Sequence, residues 1–402
     1  MKILLSAYAC EPNKGSEPEV GWQWALSLSK AGHEIYVITR MNNKKNIEKY
    51  KKKKKLKIKF LYYDLPKILI NIFSRKGKDN PLSFIYFFLW QIGIYFVAKK
   101  LTKKIKLDYI HHVTLVSLRY PSFLSLINVP FIFGPVAGGD RIPNQFRKYL
   151  LFKNRLFESF RDFINHLIKY SPIHYLVFKK SKKIICNSDA TKNLVPNQFH
   201  SKTKKLLGIS FNNNKKNMIK QKLGKKISFC FVGRIEQLKG IDITIDTFKK
   251  ISYNIDNAEL IIIGSGKHIE EIKNKIKNLR LEKKIKLINQ ISRNKLIQKF
   301  SSINFLIFPS LRDSGGMVIL EAMSKGTVPI VLDIGGPGII VNKTNGIKVK
   351  VNKNSYSDIV NHLSKRTIDI VKNPKLYEIL SSNCIKNINQ FNIMKKIKYI
   401  YR

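Results

Sequence analysis

Short apolar runs alternate with segments of helical period along the whole chain. Residues 2–9 read as a buried strand, and EPNKGSEPEVG, residues 11–21, as a polar loop. Residues 22–30 read as a helix in which Trp22, Ala25, Leu26 and Leu28 are apolar, ending at Gly32 as a cap. Residues 34–39, EIYVIT, predict a second strand. Strand, loop, helix and strand at this length make a βαβ unit, hence a parallel sheet with ligands at the strands' carboxyl ends. Strands running into loops follow at 108–114, 131–140 and 184–188. Residues 202–226 turn polar and rich in Lys and Asn, which places a hinge there. The pattern restarts at 227–232, with further strands at 259–266, 285–291 and 305–309. Residues 391–402 predict a last helix carrying Ile393, Ile397 and Ile400. The fold class is therefore α/β, in two Rossmann-like domains at 1–215 and 216–385, followed by a terminal helix segment at 386–402.

One apolar stretch breaks the rhythm. Residues 82–98, LSFIYFFLWQIGIYFVA, are uncharged and stop at Lys99 and Lys100. Their length sits at the lower limit for a membrane span, and Gln91 and Gly93 weaken that reading. A packed helix is the main expectation, with contact at a membrane surface as the other. The Lys-rich run at 42–57 reads as a solvated face that could also meet a membrane. At the N-terminus the apolar run is too short for a signal peptide, so a first strand is expected.

Composition narrows the class. At 402 residues, two domains with separate cores are the natural prior. Cys10, Cys186, Cys230 and Cys384 have no paired spacing, which argues against a disulfide framework or zinc site and favours a reducing compartment. The formal net charge is +49. Its lysines travel with Ile and Asn, as A+T-rich coding would produce, yet any such surface attracts anionic lipid or nucleic acid. No nucleic-acid motif accompanies the charge, so no specific nucleic acid is expected.

Candidate chemistry gathers at strand ends. Residues 308–341 read as strand end, loop, helix, short strand and glycine-rich turn. Asp313 and Glu321 bracket seven residues that include Gly315 and Gly316, and Val318, Ile319, Ala322 and Met323 supply a helical apolar face. The backbone at Gly315, Gly316, Met317 and Val318 is expected to approach substrate, because a helix start offers unpaired N–H groups to a phosphate. Two carboxylates beside such a seat suit a sugar nucleotide. Upstream, GRIEQLKG at 233–240 puts Gly233, Arg234 and Lys239 after a strand. Fixed cations there would stabilise a departing diphosphate. Gly264 and Gly266 form a Gly-Ser-Gly turn suited to phosphate or ribose, and the strand at 285–291 ends where backbone could meet a base. Among 11–21, Gly15 and Ser16 lie in the first loop, whose spacing is not that of a dinucleotide site. The pair His111 and His112 ends a strand, and alternation sends one ring to each face. No Asp-x-Asp and no His/Cys cluster of metal spacing is present, so no metal or other cofactor is expected.

These motifs resemble those of retaining glycosyltransferases of the GT-B fold, family 4. The acidic-x7-Glu signature there has Glu at both ends, where this chain has Asp313 and Glu321. The Gly-Arg…Lys-Gly motif matches at 233–240, the first loop at Gly15 and more weakly Ser16, and an Asp-x-x-His strand at His111 and His112. The resemblance covers most of the chain and is strongest over 227–341. It implies two domains facing across a cleft, acceptor on the N-terminal side, and a last helix crossing back to the first domain. It implies metal-free transfer with retention, from a nucleoside diphosphate sugar to a glycan or lipid-linked acceptor. Arg234 and Lys239 would then hold the diphosphate, Glu321 the ribose, Asp313 the sugar hydroxyls, and His112, or His111, the sugar near the reacting carbon. Family habit adds surface polysaccharide or lipopolysaccharide synthesis in the cytoplasm, on the inner face of the plasma membrane. The rival readings are a non-catalytic nucleotide-binding fold-mate and a nucleic-acid-binding protein.

Overall fold

A computed structural model describes residues 1–74, 83–211, 222–352 and 354–401. Two compact units emerge: Met1–Gly139 with Phe160–Gly208 and Lys396–Arg402, and Asp140–Ser159 with Ile209–Lys395. Position 215, where the sequence suggested a boundary, and Leu82 lie outside the described residues.

The first unit is built on seven strands: β1 (Lys2–Ala7), β2 (Glu34–Thr39), β3 (Ile58–Tyr62), β4 (Tyr109–Thr114), β5 (Phe131–Val136), β6 (Ser181–Cys186) and β7 (Thr203–Lys205). They pair in parallel in the order β3-β2-β1-β4-β5-β6-β7. The second unit holds β8 (Ile227–Val232), β9 (Ala258–Ile263), β10 (Ile285–Ile288), β11 (Phe305–Phe308), β12 (Val328–Leu332) and β13 (Ile347–Val349). These are again parallel, in the order β10-β9-β8-β11-β12-β13. Each order reverses beside its first strand, β1 or β8, which is where open α/β sheets gather ligands. The central strands are buried on both faces, so β1, β5 and β11 read as continuous apolar runs rather than alternating ones.

Several elements differ from expectation. The first helix begins at Ser16, not Trp22, so half of the expected loop is helical. Glu17 and Glu19 favour a helix start, and Pro18 is tolerated in a first turn where its missing N–H has no partner to lose. Strands β3, β7 and β13 escaped the pattern because they are short or Lys-rich. The run at 42–57 forms a helix, Lys44–Lys54, that buries only Ile47.

Residues 140–159, expected in the first domain, belong to the second unit. Gln145 Nε2 donates to Val351 O at 2.5 Å, Leu151 N to Gln237 Oε1 at 3.1 Å, and Arg312 pairs with the buried Glu158. The helix Ser83–Thr102 packs Tyr86, Trp90, Ile94 and Ala98 into the core of the first unit. It is also long and apolar enough to cross a membrane by length and composition. The last helix, Ile393–Tyr401, ends within the first unit. There Lys396 Nζ donates to Leu207 O at 2.6 Å, and Lys183 Nζ to Ile400 O at 2.6 Å.

Candidate active site

In the second unit the loop after β8 carries Gly233, Arg234 and Lys239. Its backbone is tied to the loop after β9: Gly233 N donates to Ile263 O at 3.1 Å and Ile235 N to Ser265 O at 2.9 Å. The contact is so close that a Cβ on Gly264 would lie 1.9 Å from Gly233 O, and one on Gly266 would lie 2.2 Å from Ile235 O. Those two glycines are thus explained by loop packing. Gly233 has room for a Cβ, which would meet nothing nearer than the Phe231 and Phe308 rings at 3.8 Å. Arg234 is exposed, and its Nη1 donates to Glu236 Oε1 at 2.8 Å. Gln237–Lys239 makes one 3-10 turn, and Gly240, at φ 72, turns the chain into the helix Ile241–Asn254.

Lys239 does not stand alone. Its Nζ donates to Asp313 Oδ2 at 2.6 Å. The other carboxylate oxygen of Asp313 accepts from Gly315 N and Gly316 N, both at 2.9 Å. Burial by itself would raise the Asp313 pKa, but the Lys239 charge and hydrogen bond, with the two N–H donors, hold it below the usual carboxylate value. The backbone N–H groups expected to await a phosphate at Gly315 and Gly316 are therefore filled by the chain's own carboxylate. Asp313 O in turn accepts from Gly336 N at 2.8 Å, which fastens the turn after β12 to this loop.

Gly316, at φ 81, opens the short helix Met317–Met323. Met317 is buried and Val318 half-buried, so the helix presents little of either side chain. One to two turns in, the buried Glu321 takes Arg293 Nε on its Oε1 at 2.5 Å. Arg293 begins the helix Arg293–Lys299 just after β10. Sequence reasoning missed it, although it lies just beyond the stretch 285–291, whose end had been expected to meet a base. The unit thus holds two largely buried acid–cation pairs, Lys239–Asp313 and Arg293–Glu321, together with the exposed Arg234.

In the first unit, Gly15 (φ 73) precedes the helix Ser16–Lys30, and Ser16 itself has φ 51. The residue that acts here is Glu17, which sequence reasoning passed over. Its Oε1 accepts from Leu115 N at 2.8 Å and Val116 N at 3.0 Å, holding the loop after β4. The two histidines of β4 do point to opposite faces, but both are fully buried and neither presents its ring to solvent. His111 Nε2 faces Gly134 O at 2.6 Å, so it carries the proton, and Nδ1 accepts from Tyr401 Oη at 2.6 Å. His112 Nε2 faces Leu115 O at 3.2 Å, and its Nδ1 is buried with no partner. Burial lowers the pKa of His111 to about 3 and that of His112 to about 4. Both are neutral, and the loop held by Glu17 covers His112. Among the described residues there is no group of three or more His, Cys, Asp or Glu placed to hold a metal ion.

Set beside known proteins, the second unit contains the stretch that matches a family model. Residues 213–387 match the family described as Glycosyl transferases group 1. An uncharacterized glycosyltransferase of Methanocaldococcus jannaschii is 29% identical over 204 residues, covering 50% of this chain and 53% of that protein. The UDP-Gal:alpha-D-GlcNAc-diphosphoundecaprenol alpha-1,3-galactosyltransferase of Escherichia coli is 30% identical over 195 residues, 46% of this chain and 48% of that one. The chain spans about half the length of these curated relatives. The crystal structure of a glycosyltransferase from Rickettsia africae superposes with a TM-score of 0.67 over 100% of this chain and 97% of the other, at 17% identity. The fold is that of the GT-B glycosyltransferases: α/β, with two parallel sheets in Rossmann-like units.

Proposed function

We propose that this chain is a glycosyltransferase that moves a sugar from a nucleoside diphosphate sugar to a glycan or lipid-linked acceptor, with retention of configuration and without a metal. The observation that carries this reading is the convergence, within the stretch matching Glycosyl transferases group 1, of Arg234 and two buried acid–cation pairs on adjoining loops. In the proposed step the bond from the anomeric carbon to the diphosphate oxygen breaks, and the diphosphate leaves with the electron pair. An acceptor oxygen bonds to the same face of that carbon and passes its proton to the departing diphosphate oxygen. Arg234, whose present partner is the half-buried Glu236, meets the charge that grows on the diphosphate. Lys239 adds a second cation while fixing Asp313 toward the sugar hydroxyls. Glu321, oriented by Arg293, accepts from the ribose.

The acceptor class is read from the Escherichia coli relative, whose name specifies a lipid diphosphate acceptor and a UDP-linked donor. A role in surface polysaccharide or lipopolysaccharide synthesis is part of the same proposal. The rival reading, a nucleic-acid-binding protein using the +49 charge, finds no support among these relatives, which are glycosyltransferases by name.

A thermal-shift and hydrolysis panel of UDP-, GDP-, ADP- and CMP-linked sugars tests the proposal. Stabilisation by one nucleoside diphosphate sugar, with slow release of its diphosphate in the presence of chelator, is expected. Absence of binding to every donor would overturn it.

A further inference from the structure

The helix Phe152–Ile168 is amphipathic in the wrong sense for water. Its first eight residues belong to the second unit and the rest to the first. The side chains it buries are Glu158, Arg161, Asn165 and Ile168, at 1%, 7%, 0% and 2% exposure. The side chains it exposes include Phe152, Leu156, Phe160 and Phe163, at 71%, 62%, 60% and 57%. A surface helix in water ordinarily does the reverse.

The buried polar face is fully engaged. Glu158 pairs with Arg312, Arg161 Nη2 donates to Gly138 O at 2.7 Å, and Asn165 Nδ2 donates to the same oxygen at 2.9 Å. Those bonds fix the rotation of the helix, so the apolar stripe cannot turn inward without breaking them. The stripe continues through Leu167 in the last turn and past the helix end through Tyr170 and Ile173, which are also exposed.

Charge identifies the occupant. Over 152–180 the exposed charged side chains are Lys153, Arg155, Lys169, Lys179 and Lys180, all cations. The acids of that stretch, Glu158 and Asp162, are not exposed. We propose that this face docks on an anionic lipid bilayer, the helix lying in the interface plane with its Phe and Leu side chains among the acyl chains and its cations at the headgroups. A second copy of the chain is the less complementary occupant, because both faces would bring the same cations and each chain carries +49. This inference is independent of the transfer reaction.

Flotation of the full chain with vesicles of phosphatidylcholine alone, or with added phosphatidylglycerol, tests it. Binding to the anionic vesicles, weakening as salt rises, is expected. Leu156→Ser/Phe160→Ser/Phe163→Ser should lower the partition coefficient by about tenfold or more while leaving the melting temperature nearly unchanged, because those side chains are mostly exposed. Tyr253→Ser/Ile379→Ser, which removes two exposed apolar groups elsewhere, should bind as the wild type does. Phe160→Trp should show a blue-shifted emission on the anionic vesicles. Wild-type binding undiminished by the triple substitution, an emission from the Phe160→Trp variant that does not shift on those vesicles, or a wild-type dimer that the triple substitution dissociates would each overturn the proposal.

Discussion

Lys239 Nζ lies 2.6 Å from Asp313 Oδ2, and both side chains are more than four-fifths buried. Two loops from different strand ends are thereby locked together, since Asp313 also fastens Gly315 N and Gly316 N. Removing one partner leaves an uncompensated charge in a poorly hydrated place. Lys239→Met is expected to cost about 3 kcal/mol of folding stability. Adding Asp313→Asn should recover a substantial part of that, because the amide oxygen can still accept from the glycines while the charge is gone. Urea denaturation of the two single variants and the double variant measures the coupling. Independent, additive effects would show that the pair is not the lock. Under the proposed function, Lys239→Met should also slow transfer by about a hundredfold.

Arg293 acts through Glu321, so the two should fail in the same way. Arg293→Ala is expected to raise KM for the donor by about tenfold with a much smaller change in kcat, equivalent to about 1.4 kcal/mol of binding. Arg293→Lys should recover little, because the lysine head is a point charge without the Nε–H that meets Glu321 here. Steady-state kinetics with the donor selected by the nucleotide-sugar panel give the split. Loss confined to kcat would remove Arg293 from donor binding and place it with the chemical step.

The architecture was legible because its strands are apolar runs of four to six residues punctuated by glycine-bearing loops. Arg234, Lys239, Asp313 and Glu321 were legible as residues near strand ends, but their pairings were not. Nothing in the spacing says that Asp313 is committed to Lys239, or that Arg293, in another βα unit, covers Glu321. Such contacts depend on strand order in the sheet, which a linear pattern does not carry. The histidines illustrate the opposite error. Alternation separated His111 and His112 correctly onto two faces, but in a strand buried on both sides a polar ring can be satisfied by backbone and by Tyr401. Glu17 was hidden because 11–21 was read as loop, and the amides it holds at Leu115 and Val116 lie about a hundred residues away. The exposed phenylalanines of Phe152–Ile168 have clear helical period, but only the structure shows which face is turned outward.

The same histidines predict an acid-sensitive fold. Their folded pKa values, about 3 and about 4, lie below the ordinary value of 6.5. Above pH 6.5 both folded and unfolded chains hold them neutral, and nothing is lost. As pH falls below 6.5 the unfolded chain takes up protons that the folded chain refuses, so stability falls, and it goes on falling until the folded values are reached. Between pH 6.5 and pH 5 each histidine should contribute about 2 kcal/mol of loss. His112→Gln keeps a donor for Leu115 O and removes the titration, so it should flatten the dependence of the urea midpoint on pH over that range. An unchanged slope would mean that other groups govern the acid transition.

The two loop glycines make a sharper comparison than either alone. Gly233 and Gly264 have nearly the same backbone torsion, φ 157 and φ 156, so a side chain meets similar conformational strain at both. Their surroundings differ: a Cβ on Gly233 would meet its nearest neighbours at an ordinary 3.8 Å, whereas that of Gly264 falls 1.9 Å from Gly233 O. Gly233→Ala should therefore cost only the torsional term, about 1–3 kcal/mol. Gly264→Ala must in addition push the loop after β8 aside, so its cost should exceed that of Gly233→Ala. It should also displace the backbone next to Arg234 and weaken donor binding in proportion. Melting temperatures with and without the selected nucleotide sugar separate the two effects. Equal costs for the two substitutions would show that the loops yield to one another, and that the close approach of Gly264 to Gly233 does not set the position of Arg234.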